Sequence, residues 1–155
     1  MVEMIVMVEL VDKNDIELIP QLVKLEAEAF GQGGLNEWHL VPIIRHGRVY
    51  ISKKGEKVVG SVQYILDWDN PQKAYMIGVS VSPEYRGRGI GTELLKETFK
   101  ALSRENIAEV ELTVAPDNLA AIKVYERKLK FVVTEYRKNE YGNHQDRLVM
   151  NLSLA

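Results

Sequence analysis

The stretch Val79-Ser-Val-Ser-Pro-Glu-Tyr-Arg86-Gly-Arg-Gly-Ile-Gly91-Thr92 restricts the possible folds of this chain more than any other segment. An apolar run meets a proline turn, then a basic glycine-rich loop that opens directly into Thr92–Glu105. Ile90, Leu94, Leu95, Thr98, Phe99 and Leu102 recur there at helical spacing, so the sequence predicts strand, loop and helix in immediate succession. Such a junction suits an anion. Glycines let the backbone approach a ligand and take positive φ, and the N–H groups of loop and helix start then face it without competing carbonyls. Arg86 and Arg88 can add charge-assisted bonds, each typically about 1.5–3 kcal/mol.

Two familiar phosphate loops do not fit. A Walker A loop requires Gly-Lys-Ser/Thr at its end, whereas Gly91 is followed by Thr92 and Glu93. The dinucleotide fingerprint Gly-x-Gly-x-x-Gly fails in both frames, because Gly87 and Gly89 lead to Thr92, and Gly89 and Gly91 lead to Leu94. The pattern that remains is Arg86-x-x-Gly89-x-Gly91.

Around this junction the chain reads as one α/β domain over residues 1–155, without repeats or linkers. Met4–Leu10 is a first strand, and Asp12–Asp15 supplies turn and N-cap residues for a helix over Ile16–Phe30. Ile19, Leu22, Val23, Glu26, Ala29 and Phe30 share one face of that helix, and Glu26 interrupts it. Gly31–Gly34 ends the helix, and a short helix follows over Asn36–Arg45. Lys54-Gly55-Glu56 joins two strands as a hairpin, and Asp67–Pro71 turns into the apolar strand Ala74–Val81. Glu109–Val114 is a strand, Ala120–Leu129 a helix, and Phe131–Arg137 with Arg147–Leu152 a last hairpin. The expected order is β-α-α-β-β-β-α-β-α-β-β, with a mostly antiparallel first half.

Charge and composition narrow the function classes. Twenty basic and 22 acidic residues leave a formal net charge of −2, with no global field to gather nucleic acid or an anionic membrane. No uncharged run approaches the roughly 18–20 residues of a membrane span, and the N-terminus, with Glu3 and Glu9, lacks the basic start of a signal peptide. A cytoplasmic protein without nucleic-acid or membrane partners is expected. The chain has no cysteine, which excludes thiolate metal sites and a cysteine nucleophile. His39, His46 and His144 are scattered rather than spaced as metal ligands, so no metal is expected.

Arg86-x-x-Gly89-x-Gly91, following a strand that itself follows antiparallel strands, resembles the signature of the Gcn5-related N-acetyltransferases. A second segment resembles the same family: Thr113-Val-Ala-Pro-Asp-Asn118-Leu-Ala-Ala-Ile-Lys-Val-Tyr125, continuing to Leu129-Lys-Phe131. The resemblance implies acetyl-CoA as the acetyl donor. It puts the pyrophosphate on Arg86, Gly87, Arg88, Gly89, Ile90, Gly91 and Thr92, and the pantetheine arm on the backbone of Val79 and Val81 and on Asn118. It makes Tyr125 the acid that protonates the departing thiolate. Spacing alone leaves Asn118 equally readable as a helix N-cap and Tyr125 as a core residue.

The chain departs from the family at Lys130, where glycine is usual; a positive-φ turn there would be strained by about 1 kcal/mol or more. It also lacks the family's carboxylate bases, since the two usual positions hold Tyr75 and Thr113. A lysine-like ammonium has pKa near 10, so a base or a proton relay is normally required. Glu26, Glu28 and Trp38 are the candidate acceptor contacts, Tyr64 and Tyr75 are candidates for a relay, and Tyr136 and Tyr141 are further candidate wall residues. The resulting expectation is transfer of acetyl to a primary amine, on a small molecule or a peptide or protein N-terminus. The alternative is a non-catalytic acyl-CoA-binding sensor. A homodimer is compatible with the sequence.

Overall fold

The computed structural model describes residues 6–154, so Met4 and Ile5 of the expected first strand lie outside the described residues. Its elements are β1 (Met7–Leu10), α1 (Leu18–Phe30), α2 (Glu37–His46), β2 (Arg48–Lys54), β3 (Lys57–Leu66), β4 (Lys73–Val81), α3 (Ile90–Arg104), β5 (Glu109–Val114), α4 (Leu119–Lys123), β6 (Val132–Arg137) and β7 (Arg147–Ser153). The strands form a sheet in the order β1-β2-β3-β4-β5-β7-β6. This is the expected mixed, mostly antiparallel α/β architecture. Among the described residues no helix is long and apolar enough to cross a membrane.

The chain divides into two compact units, one holding the described residues up to Ile65 with Ile77–Lys100, the other Leu66–Met76 with the residues from Ala101 on. In the first, β1, β2 and β3 pair antiparallel. Leu22, Leu25, Leu40, Ile44, Val49 and Ile51 join α1, α2 and the sheet in one apolar cluster, and each such side chain typically contributes about 1.5–3 kcal/mol by leaving water. On the opposite face Tyr64 meets the Tyr50 ring edge-on at 6.2 Å. Its hydroxyl lies 2.7 Å from Thr98 Oγ1 of α3.

Helix α1 begins two residues later than the sequence suggests. Asp12 Oδ1 accepts from Asn14 N at 2.8 Å, which uses this turn chemistry before the helix, and Glu17 then serves as an N-cap without a side-chain bond. Pro20 falls in the first turn, where its missing N–H would have had no helical carbonyl to meet. The buried face is Leu18, Leu22, Leu25 and Glu26. Phe30, expected on that face, is half exposed because the helix stops at Gly31, whose φ is +60°. Helix α2 is closed by a capping box: Asn36 Oδ1 accepts from Trp38 N, and His39 Nδ1 accepts from Asn36 N.

In the second unit, β4 runs parallel to β5 over Lys73–Tyr75 with Glu109–Glu111. Strand β7 lies antiparallel between β5 and β6. Val110, Leu112, Val149, Met150, Leu129 and Phe131 are buried there. The expected helix over Ala120–Leu129 is α-helical only to Lys123 and continues as a π turn over Val124–Lys128.

Candidate active site

The first unit carries the glycine loop. Ser82 N donates to Val59 O at 2.8 Å, which fixes the end of β4 against β3. Pro83–Tyr85 then form one tight turn, and the chain swings through Gly87 and Gly89 at φ of +76° and +78° into α3. A side chain at either glycine would meet no atom within 4 Å, so backbone geometry rather than space demands glycine, and the loop faces open surroundings. Gly91 is different: a Cβ there would come within 3.3 Å of Val81, so its small size lets the first turn of α3 close on β4. Residues 86–89 are exposed, and Val79, Val81, Gly91 and Thr92 are partly so, while the Ile90 side chain is buried under the helix start.

The arginines are held differently. Arg86 Nε donates to Val81 O at 3.2 Å, and the Arg88 guanidinium lies 5.4 Å from the Tyr85 ring centre. Lys54 and Lys57 approach the same ring at 5.5 and 5.3 Å. Lys57 also pairs with Glu84 at 2.7 Å. This gathering of cations beside the loop joins residues 54–57 with 84–88, a proximity that linear spacing does not reveal.

Of the three acceptor-side candidates, Glu26 is 3% exposed. Its carboxylate accepts from Leu35 N at 3.2 Å and from Gln63 Nε2 at 3.0 Å. Burial raises its pKa above the ordinary carboxylate value, opposed in part by these two bonds. Glu26 therefore braces the α1–α2 connection from inside and does not stand open to an acceptor. Glu28 is exposed on α1, and Trp38 is 81% exposed on α2. Tyr64 is turned into the core against Thr98, which removes it from an acceptor-side relay.

The second unit brings together the two positions where the family resemblance would place a base. Tyr75 of β4 and Thr113 of β5 share a hydroxyl–hydroxyl bond of 3.1 Å, and the Tyr141 hydroxyl approaches Tyr75 at 3.4 Å. Burial pushes the Tyr75 phenol up to about 12, so it remains neutral at ordinary pH. Tyr141 is carried by the β6–β7 connection, where the Asp146 carboxylate accepts from the Tyr136 hydroxyl and from Asn139 N. The Arg147 guanidinium stacks 4.9 Å from the Tyr141 ring.

Asn118 is the N-cap of α4, its Oδ1 accepting from Ala121 N at 3.3 Å. Tyr125 lies in the π turn, where Leu129 N reaches Val124 O, and Phe131 N bonds Tyr125 O at 2.9 Å. Its ring meets Phe131 edge-on at 5.7 Å. Its hydroxyl has no hydrogen-bond partner among the described residues, and burial raises its pKa. A phenol in that state is protonated and free to donate. Among the described residues no group of His, Asp or Glu could hold a metal ion.

Residues 19–131 match the family model described as the acetyltransferase (GNAT) family. Among curated proteins, the chain is 35% identical over 98 residues to an N-terminal acetyltransferase complex ARD1 subunit homolog of Dictyostelium discoideum, covering 63% of this chain and 48% of that protein. The chain thus spans about half the length of that relative. Among solved structures, the ribosomal-protein-S18-alanine N-acetyltransferase of Escherichia coli superposes with a TM-score of 0.84 at 20% identity, covering 97% of this chain and 95% of that one. A GNAT family acetyltransferase from Elizabethkingia anophelis with acetyl-CoA bound superposes with a TM-score of 0.77 at 15% identity, covering 96% and 97%.

Proposed function

Because the chain belongs to the GNAT acetyltransferase family, we propose that it is an acetyl-CoA-dependent N-acetyltransferase whose acceptor is a peptide or protein N-terminal amine. The observation that carries the reading is the exposed loop with Gly87 and Gly89 at positive φ, opening into a 15-residue helix. The acceptor class draws support from the names of the relatives, two of which are N-terminal or ribosomal-protein acetyltransferases.

Acetyl-CoA is the donor substrate and supplies an activated acetyl thioester. The N–H groups from Gly87 to Thr92 take the pyrophosphate, with charge from Arg88 and from whatever donors of Arg86 its bond to Val81 O leaves over. The backbone of Val79 and Val81, beyond the three β4 residues that pair with β5, takes the pantetheine arm. The acceptor must attack as a neutral amine, and an α-amino group near pKa 8 loses its proton far more readily than a lysine ammonium. An acceptor of that class does not need a strong carboxylate base. The hydroxyls of Tyr75, Thr113 and Tyr141 then pass its proton on to solvent water rather than keep it, since Tyr75 is too weakly acidic to hold a charge. As the tetrahedral adduct collapses, Tyr125 donates its hydroxyl proton to the leaving thiolate.

The test is free-thiol release from acetyl-CoA across peptides with free N-termini, N-blocked lysine peptides and small amines. Release that requires a free N-terminus supports the reading. Release with small amines alone reassigns the acceptor, and tight acetyl-CoA binding without release under any acceptor identifies a non-catalytic acyl-CoA-binding module.

A further inference from the structure

A cavity of about 470 Å³ lies in the first unit, between the edge strand β1 and the N-terminal half of α3. Its size falls in the range of small-molecule sites. Arg88 and Gly89 line it where α3 begins, Glu93 and Glu97 line it further along the helix, and Ile90, Leu94 and Val8 are its apolar lining. Glu93 and Glu97 are one helical turn apart and so share a face.

Beneath these groups lies Ser52 of β2, 1% exposed. Its Oγ is buried and has no hydrogen-bond partner among the described residues. A hydroxyl left in that state costs about 1–3 kcal/mol, which a bound donor or acceptor would offset. The strand pairing is irregular at this point: Ser52 stands opposite Gly60 and Lys53 opposite Val58, so Val59 of β3 is an extra residue. Such bulges are frequent beside functional sites, where they re-aim a side chain.

We propose that this cavity binds a free basic α-amino acid, with lysine as the representative member. The charges set the class. One guanidinium and two carboxylates are complemented group for group by a molecule with one carboxylate and two ammonium groups. The ligand carboxylate meets Arg88 and the amides at the start of α3, the α-ammonium meets Glu93, and the side-chain ammonium meets Glu97. At 1.5 Å of rise per residue, Gly89 to Glu97 spans about 12 Å along the helix, a distance that an extended lysine and the flexible side chains cover together. Its methylene chain lies on Leu94 and Ile90. Glu97 is paired with Lys100 at 3.2 Å, but both groups are largely exposed, and such a pair is readily exchanged for a ligand ammonium. Because Arg88 and Gly89 belong to the proposed pyrophosphate loop as well, occupancy alters acetyl-CoA affinity, and acetyl-CoA alters lysine affinity by the same factor.

Calorimetric titration of the full chain with L-lysine, L-leucine and cadaverine, without acetyl-CoA, tests this independently of any acetyl transfer. Lysine should bind, and leucine and cadaverine, each lacking one of the required charges, should bind about tenfold or more weakly. Glu93→Gln and Glu97→Gln should each weaken lysine by about tenfold while leaving thiol release from acetyl-CoA intact. Ser52→Ala should weaken it less; if that variant fails to fold, the two exposed glutamate variants still decide. Absence of lysine binding would overturn the proposal, as would binding that neither glutamate variant changes, since lysine would then sit elsewhere.

Discussion

The Tyr75 hydroxyl lies 3.1 Å from Thr113 Oγ1, so the two positions where the family resemblance would place a base are here joined by a hydrogen bond between neutral groups. That bond joins neighbouring parallel strands just beyond their pairing, since Tyr75 stands opposite Glu111, the last paired residue of β5, and Thr113 is two residues further on. Tyr75→Phe removes the hydroxyl and keeps the ring. If Tyr75 relays the acceptor proton, kcat should fall by about 10-fold to 100-fold with little change in acetyl-CoA affinity. The phenol is held up to about 12, so the rise of kcat/KM with pH should follow the acceptor amine and stay in place in the mutant. An unchanged kcat would assign Tyr75 to packing.

Tyr125 gives a sharper contrast. Its hydroxyl has no protein partner among the described residues, while its ring is supported by Phe131. Tyr125→Phe should therefore leave stability and acetyl-CoA affinity almost unchanged. A thiol is a fairly good leaving group, so the loss in kcat should sit near the lower end of general-acid effects, about 100-fold. Rates within twofold of wild type, where chemistry limits turnover, would contradict the assignment.

The loop can be separated from the fold. Gly89 holds φ of +78° with open space where a Cβ would point. Gly89→Ala therefore has no clash to relieve but must either bear about 1–2 kcal/mol of strain or abandon the conformation. We expect a folded protein, seen by circular dichroism, whose acetyl-CoA affinity drops by about tenfold or more, the equivalent of that strain. Wild-type affinity would mean that the loop conformation is not what binds the donor.

Lys130 shows the opposite relation between residue and backbone. It keeps the left-handed conformation, φ of +66°, that a glycine would occupy freely. Lys130→Gly should relieve about 1–2 kcal/mol of strain and lose about 0.5–1 kcal/mol through a more flexible unfolded chain. A net gain of up to about 1.5 kcal/mol in urea denaturation is expected; a loss would show that Lys130 makes a stabilising contact.

Burial raises the Glu26 pKa in the folded chain. A carboxyl whose folded pKa lies above its unfolded value favours the folded state fully below the unfolded pKa and loses that contribution as pH rises through the folded one. Glu26→Gln does not titrate. Its denaturation midpoint relative to wild type should therefore climb as pH rises from about 4, the ordinary carboxylate range, and a falling difference would reverse the sign of the shift.

The order of elements was legible in the sequence because helical and alternating periodicities are local, as were the loop glycines, whose need for positive φ is written in residue type. Tertiary pairing was not. Tyr75 and Thr113 are 38 residues apart and meet only through strand register. Phe30 carries an apolar side chain on the right face, yet Gly31 ends the helix beside it and leaves the ring half exposed. The π turn at Val124–Lys128 was equally hidden, since its extra residue changes the backbone bonding without changing the apolar spacing of Ile122, Tyr125 and Leu129. Gln63, which holds Glu26 from a distant strand, had no signature at all.

The most direct measurement is mass spectrometry of a peptide pool with free and blocked N-termini, incubated with the chain and acetyl-CoA, with fragmentation to locate the added group. The account predicts one acetyl group on the α-amine of free N-terminal peptides, absent with Gly89→Ala and slowed with Tyr125→Phe. Acetyl found only on lysine side chains, or no acetylated product while acetyl-CoA binds, would contradict it.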